Sequence, residues 1–466
     1  MRFFTIAVMA LALGAYLRFA GLGAREISAD EGASWAAAVA PSAADVLRLQ
    51  ARLNPGKLGA HDLALHFWIR TFGDSAATMR ALSAAAGTVA IALVFLATRE
   101  LMLARFVPDD SGEDASPVSA PPLDAAAAIA ALLFAVNLVT IKYSREARMY
   151  PLALLFTLVQ VWFFLRAARR DGIANYLGTA VFTALSVAAN LTAVLILAPE
   201  GIWLFLMLLA RGDRGRAPIL KLAAALAAGL ALTAPLGLIY LQVRAGPTNP
   251  QAYGWIPLPP LYAPLALFNK ATGSFAFPVM AALAGWGVFR GSGRARGAVL
   301  FAILWMFAPP LLALAFSYSV RPAFIERYML SCFVPFFVLS AVGICELGQD
   351  WARLCALGAA VALALGHGAS YDRKPHDAQW REAAIIATCN VTIDGAVAVA
   401  PGYAANVVRY YLRRSPAITA VPIDEPADAR VAIISDQGVA PARLAELVRV
   451  YPRTVARLRG VVVRQR

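Results

Sequence analysis

Long apolar runs separated by short loops constrain the fold of this chain more than any other feature. The runs recur over the first 368 residues, and several reach the roughly 20 residues that an α-helix needs to cross a bilayer. Hydrophobic residues make up 60% of the 466 residues and charged residues 15%, against about 25% charged residues in soluble proteins. The sequence therefore predicts a polytopic α-helical membrane protein with about eleven spanning helices.

The predicted spans cover most of the chain before residue 369. They lie at residues 3–22, 79–103, 123–141, 149–167, 175–189, 191–209, 219–241, 275–290, 298–318, 328–345 and 352–368. The first run is long for the apolar core of a cleaved signal peptide, so we interpret it as a retained helix.

Basic loops between the spans predict the orientation in the bilayer. With the N-terminus inside, arginine-rich loops at 166–170, 211–221 and 290–296 face the cytoplasm, as the positive-inside rule requires. A Pro/Ser/Asp-rich segment at 105–122 is expected to be a flexible linker on the same side. The net charge of +14 is then explained by orientation and anionic lipids rather than by nucleic acid.

The same orientation places four segments outside, at residues 23–78, 142–148, 242–274 and 319–327. These outer segments also carry basic side chains on the side that the rule disfavours. An anionic ligand at this face is one reason to keep such charges there. Within the first outer loop, amphipathic helices are predicted around 42–53 and 61–72, lying in the membrane interface.

The last 98 residues differ in character from the rest, which suggests a transmembrane domain at 1–368 and a small α/β domain at 369–466. The predicted strands and helices alternate along this tail. Strands are predicted at 395–400, 418–423, 430–436 and 455–463, and helices at 404–414 and 441–450.

An adjacent acidic pair, Asp30 and Glu31, follows the first span. Ionisable groups near a bilayer are costly to desolvate and are candidates for function. A carboxylate there could act as a general base toward a hydroxyl group. A solvated loop, or a helix N-terminus that favours acidic residues, explains the pair equally well.

Basic residues recur in the outer loops. The loop at 142–148 holds Lys142, Arg145 and Arg148, with Glu146 to orient one of them, and could bind a lipid phosphate. Ordinary snorkelling explains these cations too. Arg327 enters a late span in a similar setting, where a structural salt bridge is as plausible.

No metal site is predicted. His61 and His66 are not spaced to ligate one metal ion from a single helical face. The four cysteines form no CxxC pair, which argues against a zinc site and against a disulfide framework.

Five ordered sequence blocks resemble the family 39 glycosyltransferases of the GT-C class, which include protein O-mannosyltransferases, lipid A aminoarabinose transferases and many bacterial relatives. The blocks lie at residues 27–31, 57–83, 143–150, 327–328 and 376–381. The resemblance is strong over about residues 25–170 and patchier to about 415. It implies a GT-C fold and a donor sugar carried by a polyprenyl phosphate.

The resemblance also implies roles for single residues. Asp30 would take the proton of the acceptor hydroxyl in one inverting displacement at the anomeric carbon, and Glu31 would support or orient it. Lys57, Arg148 and Arg327 would bind the phosphate of the departing lipid. Supporting roles fall to Tyr143, Glu146, His61 and Tyr328.

The resemblance leaves the substrates open. The donor sugar could be a hexose, an aminopentose or a uronic acid, and the acceptor a hydroxyl of lipid A, another glycolipid, a polysaccharide or a protein. A His-Pro-Pro-Leu sequence that is frequent in the family is replaced by residues 57–62. No cofactor is expected, and a divalent cation has no support in the sequence. The expected location is the bacterial inner membrane, with the active site and C-terminal domain on the periplasmic side, in cell-envelope glycosylation.

Two other classes of function remain as alternatives. A transporter or flippase of lipid-linked saccharides would also have many helices and outward cations. The sequence has no internal repeat, and its outer charges lie at the membrane surface rather than near the midplane, which favours an enzyme. A structural or assembly protein that binds partners through its α/β tail would keep its function after Asp30→Asn.

Overall fold

The computed structural model describes most of the chain. The described residues are 2–54, 56–103, 123–211, 216–245, 256–291, 296–372, 378–391, 395–415, 417–424, 429–435 and 437–466. The predicted linker at 105–122 lies outside them, as do His376 and Asp377 of the last sequence block.

The part before residue 373 is helical. Its helices are α1 (Arg2–Phe19), α2 (Ala29–Ala38), α3 (Ala43–Leu53), α4 (Ala60–Phe72), α5 (Ala76–Leu103), α6 (Leu123–Val136), α7 (Leu138–Ser144), α8 (Tyr150–Arg169), α9 (Ile173–Ala189), α10 (Leu197–Arg211), α11 (Arg216–Leu232), α12 (Ala234–Ala245), α13 (Ala263–Thr272), α14 (Ala276–Gly291), α15 (Arg296–Ser319), α16 (Phe333–Cys345) and α17 (Asp350–Asp372). Short 3₁₀ segments at Leu191–Ile196, Glu326–Tyr328 and Leu330–Cys332 join some of them.

Every predicted span coincides with one of these helices or with a bent pair. Among the described residues, five helices are long and apolar enough to cross a membrane, and three bent pairs pass the same test together. Helices α1, α9 and α16 are apolar but shorter. A multi-span helical membrane protein is therefore confirmed, whereas the count of eleven stays a prediction.

The predicted span 123–141 is bent by 60° between α6 and α7. Asn137 begins α7, and its side-chain oxygen accepts the backbone N–H of Val139 at 3.0 Å. The Arg18 guanidinium donates to the Ala135 carbonyl at 2.9 Å and to the Thr140 hydroxyl at 3.1 Å. These bonds satisfy backbone groups that the interrupted helix exposes, and the bend directs the chain into the outer loop 145–149.

Small residues let the central helices approach closely. A Cβ added at Gly343 of α16 would lie 1.9 Å from the Leu283 carbonyl oxygen, and one at Gly287 of α14 would lie 2.2 Å from the Leu339 oxygen. Both distances are shorter than any real Cβ contact, so glycine is required at both positions. Such backbone-to-backbone packing is typical of membrane helices, where association depends on close van der Waals contact.

Three helices fill the first outer loop. The predicted interfacial helices at 42–53 and 61–72 form as α3 and α4. Helix α2 precedes them and was not predicted. It begins with a capping box, in which the Ser28 hydroxyl accepts the Glu31 N–H at 3.2 Å and the Glu31 carboxylate accepts the Ser28 N–H at 3.0 Å. The acidic pair therefore lies in the first turn of α2, where the helix dipole stabilises negatively charged side chains.

The tail forms a small mixed sheet with helices, as predicted. Its elements are α18 (Trp380–Cys389), β1 (Ala396–Ala400), α19 (Ala405–Leu412), β2 (Thr419–Pro422), β3 (Val431–Ser435), α20 (Pro441–Val450), β4 (Arg453–Leu458) and β5 (Val461–Gln465). The strand order is β2-β1-β3-β5-β4, with β2, β1 and β3 parallel and the pairs β3–β5 and β4–β5 antiparallel. The division of the chain at residue 369 stays a prediction.

One strand prediction in the tail was wrong. The single strand expected at 455–463 is the hairpin of β4 and β5. The chain turns at Arg459 and Gly460, where Gly460 has a φ of 73° that favours glycine. β-branched residues lie on both sides of the turn, so the hydropathy pattern predicted one continuous strand.

Candidate active site

A cavity of about 2120 Å³ lies where the outer loops of the helical part meet the C-terminal sheet. Six of the predicted site residues line it: Asp30, Glu31, Glu146, Arg148, Arg327 and Tyr328. The cavity exceeds the usual ~300–1,000 Å³ of a small-molecule pocket. It has room for parts of two substrates at once.

Asp30 is the more exposed carboxylate of the acidic pair that lines this cavity. Its side chain is 48% exposed, and its Oδ2 accepts a hydrogen bond from Arg327 Nη1 at 3.1 Å. Arg148 Nη2 lies 3.9 Å from the same oxygen. The positive charge of Arg148, and after it that of Arg327, lowers the pKa of Asp30 although burial opposes the shift. Asp30 is therefore an ionised, accessible proton acceptor at neutral pH.

Glu31 has a different environment from its neighbour. It is 2% exposed, and Arg80 of α5 binds both of its carboxylate oxygens, with Nε–Oε1 at 2.7 Å and Nη2–Oε2 at 2.9 Å. The Ala147 N–H donates to Oε1 at 2.9 Å. Burial alone would raise the pKa of Glu31, but these bonds and the charge of Arg80 lower it. Glu31 therefore anchors α2 to α5 and to the loop at 145–149, which positions Asp30.

Arg148 is a buried cation held in place by several acceptors. Its Nη1 donates to the backbone oxygen of Asp30 at 2.8 Å, to Asn54 Oδ1 at 2.8 Å and to Ser34 Oγ at 3.1 Å. Burial opposes the charge of Arg148, but the Asp30 carboxylate raises its pKa. The guanidinium is thus charged and fixed at the cavity wall.

Arg327 joins Arg148 beside a single aromatic ring. Both guanidinium carbons lie 5.8 Å from the ring centroid of Tyr150. Two guanidinium groups therefore gather around the one half-exposed carboxylate of Asp30. Such an excess of positive charge suits a phosphate, which arginine binds with paired N–H donors.

Lys57 and His61 are near the site but do not line the cavity. Lys57 is fully buried, and its Nζ lies 2.7 Å from Asp62 Oδ2. Burial lowers the pKa of Lys57 to about 8, while the Asp62 carboxylate opposes the shift. His61 is 1% exposed with its Nδ1 3.8 Å from Asp62 Oδ2, and burial lowers its pKa. The contact of Lys57 with a donor phosphate stays a prediction, and in this structure the Lys57 ammonium pairs with Asp62.

The remaining predicted residues are Tyr143, Tyr328 and Glu146, of which Glu146 and Tyr328 line the cavity. Tyr143 packs against Tyr150 with ring centroids 5.2 Å apart, and Tyr328 packs against Tyr150 at 6.0 Å. Glu146 lines the cavity, and burial, followed by the nearby Glu31 charge, raises its pKa to about 7. Its carboxyl group therefore keeps its proton to a higher pH than an ordinary glutamate does.

The described part of the chain offers no group of three or more His, Cys, Asp or Glu side chains that could hold a metal ion. All four cysteines are free.

Several residues of the site were not predicted as functional. Arg80, Asp62, Asn54 and Ser34 hold the predicted residues in place, and Tyr403 reaches the cavity from the C-terminal part. Arg80 lies within the sequence block at 57–83, and this position was a signal in the sequence that could have marked Arg80 as part of the site. The others depend on contacts between distant segments.

Comparison with known proteins identifies the architecture. The structure of ArnT from Cupriavidus metallidurans bound to undecaprenyl phosphate matches 98% of this chain and 97% of that chain, with a TM-score of 0.61 and 14% identity. The chain has the GT-C glycosyltransferase fold. This confirms the fold expected from the ordered sequence blocks.

Other comparisons agree with the GT-C fold. The oligosaccharyltransferase AglB from Archaeoglobus fulgidus, in complex with an inhibitory peptide and a dolichol-phosphate, has a TM-score of 0.56 and 11% identity over 93% of this chain and 69% of that one. The mycobacterial arabinofuranosyltransferase AftD has a TM-score of 0.55 and 14% identity over 99% of this chain and 39% of that one. The family model of the protein O-mannosyl-transferase TMEM260 N-terminal domain matches residues 61–214. No curated protein sequence matches the chain.

Proposed function

We propose that this protein is a membrane glycosyltransferase that moves a sugar from a polyprenyl phosphate to a hydroxyl group. The observation that carries the proposal is the position of Asp30, half-exposed in a large cavity and flanked by Arg148 and Arg327. The GT-C fold supports the same activity. ArnT binds undecaprenyl phosphate and AglB a dolichol-phosphate, which supports a lipid phosphate as the carrier.

The proposed reaction is a single displacement. The acceptor hydroxyl gives its proton to the Asp30 carboxylate while its oxygen forms a bond to the anomeric carbon. The bond from that carbon to the phosphate oxygen breaks, and its electron pair leaves with the lipid phosphate. Arg148 and Arg327 stabilise the negative charge that develops there, which is usually the largest catalytic contribution in such chemistry. Attack opposite the leaving group inverts the anomeric configuration.

Two other predicted residues, Glu31 and Lys57, have a place in this proposal. Glu31 orients Asp30 through its bonds to Arg80. Lys57 acts from behind the cavity through its electrostatic effect on Asp30. The reaction takes place on the periplasmic face of the bacterial inner membrane, where the positive-inside rule puts the outer loops.

The test uses purified protein in lipid nanodiscs with two readouts. Binding of undecaprenyl phosphate reports on the phosphate site. Consumption of undecaprenyl-phosphate mannose, glucose or aminoarabinose, with an envelope extract of the producing organism supplied as the source of acceptor hydroxyls, reports on chemistry. Asp30→Asn should reduce donor consumption by about 10²–10⁴-fold, the usual contribution of a general base, and keep undecaprenyl phosphate binding. Arg148→Ala should weaken that binding.

Arg48→Ala is the matched control, because Arg48 is a 65% exposed arginine on α3 that does not line the cavity. It should leave both readouts unchanged. Donor consumption that survives Asp30→Asn would overturn the role of the base. Binding that survives Arg148→Ala would overturn the phosphate site, and a protein that moves the lipid across the bilayer without consuming it would be a transporter.

A further inference from the structure

Three loops of the C-terminal sheet form part of the cavity wall. They follow the parallel strands β1, β2 and β3, and the residues that line the cavity lie at 401–403, 422–424 and 437–440. The carboxyl ends of parallel strands lie at one edge of a sheet, and α/β proteins commonly bind ligands outside that edge. The binding edge of the small sheet therefore opens into the same cavity as Asp30.

Close packing fixes this edge relative to Asp30. A Cβ added at Gly32 of α2 would lie 2.6 Å from the backbone nitrogen of Val407 in α19, so the two helices meet backbone to backbone. The Tyr411 hydroxyl accepts the Ile27 N–H at 2.8 Å just before α2. Helix α2 thus carries Asp30 on one side and contacts the C-terminal part on another.

Tyr403 is a residue of the sheet edge that the Asp30 charge reaches. It follows β1, lines the cavity and is 60% exposed. Burial of its hydroxyl, and after it the nearby Asp30 carboxylate, raises the pKa of Tyr403. The exposed side chain of Gln437 also lines the cavity, and a Cβ at the next residue, Gly438, would lie 2.6 Å from the Tyr403 hydroxyl. The side chains of Tyr403 and Gln437 therefore belong to one patch of the cavity wall.

The charge of this patch differs from that of the donor side. Among the described residues of the patch, Arg443 is the cation that lines the cavity, and it is paired with Asp424 at 2.8 Å and with Glu446 at 2.7 Å. The patch therefore lacks the excess positive charge found around Arg148 and Arg327. An exposed tyrosine ring, an amide and a compensated ion pair suit the hydroxyl groups and apolar faces of a neutral sugar.

We propose that this edge is the acceptor subsite and that the acceptor is a neutral saccharide. This inference rests on the proposed glycosyltransferase function and assigns its acceptor. Tyr403 and Gln437 hold the saccharide so that one hydroxyl points at Asp30. The O–H proton goes to Asp30, the oxygen bonds to the anomeric carbon of the donor, and the electron pair of the broken C–O bond leaves on the lipid phosphate.

The test follows radiolabel from undecaprenyl-phosphate mannose, glucose or aminoarabinose into three acceptor fractions from the producing organism: protease-treated envelope polysaccharide, envelope protein and glycolipid. Label should enter the polysaccharide fraction. Tyr403→Ala and Gln437→Ala should each raise the half-saturating amount of polysaccharide about tenfold, the effect of losing one good polar contact. Undecaprenyl phosphate binding should not change in either variant.

Tyr262→Ala is the matched control, since Tyr262 is 67% exposed and does not line the cavity. It should leave the half-saturating amount unchanged. Label in the protein or glycolipid fraction, or polysaccharide transfer that both variants leave unchanged, overturns the acceptor subsite while the glycosyltransferase function stands. A wild-type protein that consumes no donor with any fraction overturns both. The two variants change separate loops. If one variant misfolds, the other still tests the acceptor subsite.

Discussion

Asp30 and Glu31 are adjacent in sequence and differ in almost every physical respect. The Asp30 side chain is 48% exposed, whereas Glu31 is 2% exposed and bound on both oxygens by Arg80. Neighbours on a helix point about 100° apart, so one carboxylate faces the cavity and the other faces α5. The accessible carboxylate suits proton transfer, and the buried one suits anchoring.

The raised pKa of Glu146 can be tested through the pH dependence of stability. Its pKa is raised to about 7 by burial and then by the Glu31 charge, against about 4.3 in an unfolded chain. Between these values the folded protein binds more protons than the unfolded chain, so the free energy of unfolding should fall as the pH rises. Glu146→Gln should flatten this slope, measured as thermal midpoints from about pH 4.5 to 7.5 in one detergent. An unchanged slope in Glu146→Gln would contradict the assignment.

The sequence predicted the charged side chains that line the site but not the residues that support them. Asp30, Arg148 and Arg327 come together as expected from the ordered blocks. Asn54 and Ser34 hold Arg148, but each is an ordinary polar residue in the sequence and gains its role only from packing. Lys57 was predicted to bind phosphate because it is basic. The sequence did not show that Lys57 is buried and forms an ion pair with Asp62.

At the scale of elements, helix α2 was the main omission. Its sequence is short and rich in alanine, with a weak hydrophobic periodicity, so neither pattern nor length predicted it. The break at Asn137 was missed for a related reason, since the apolar run continues on both sides of it. Hydropathy predicted which segments enter the membrane region but not where a polar side chain interrupts them.

Gly32 tests the packing of α2 against α19. A Cβ in Gly32→Ala would lie 2.6 Å from the Val407 nitrogen and 2.7 Å from its Cα, and neither atom can move alone. We expect a loss of about 1–3 kcal/mol in stability, the usual cost of overpacking. Thermal unfolding should show a lower midpoint, and limited proteolysis should release the C-terminal part faster.

Gly201→Ala is the matched control for this experiment. Gly201 also lies in a helix, α10, and a Cβ there meets nothing within 4 Å. Alanine has the higher helix propensity, so this variant should be neutral or slightly more stable. Equal midpoints for the two variants would show that α2 and α19 are not in close contact.

At the scale of the whole molecule, orientation in the bilayer decides whether the proposed site is periplasmic. The outer loops and the C-terminal sheet line one cavity, so they must lie on the same side. Alkaline phosphatase fused after Arg466 should therefore be active in a bacterial host, and the same enzyme fused after Arg211 should be inactive. The reverse pattern would move the cavity to the cytoplasmic face.

The fold class of the whole molecule was easier to predict from the sequence than its individual elements or contacts. Long apolar runs require spanning helices because the bilayer leaves backbone groups no other partners, and the order of the sequence blocks indicated the GT-C fold. The wall that the sheet contributes to the cavity was not predictable. It depends on tertiary contacts such as Gly32 with Val407, which join residues 375 positions apart in a chain of 466.

In an enzyme of the proposed kind, the cluster of Asp30, Arg148 and Arg327 would couple donor binding to the strength of the base. Before a donor binds, the carboxylate is the counter-ion of both guanidinium groups, and their charges keep its pKa low. In an enzyme of the proposed kind, a phosphate that takes over the two arginines would release this restraint, so Asp30 would become a stronger base only after the donor has bound. The two substrates would then bind in a compulsory order, and a stray water molecule would be activated poorly in the meantime.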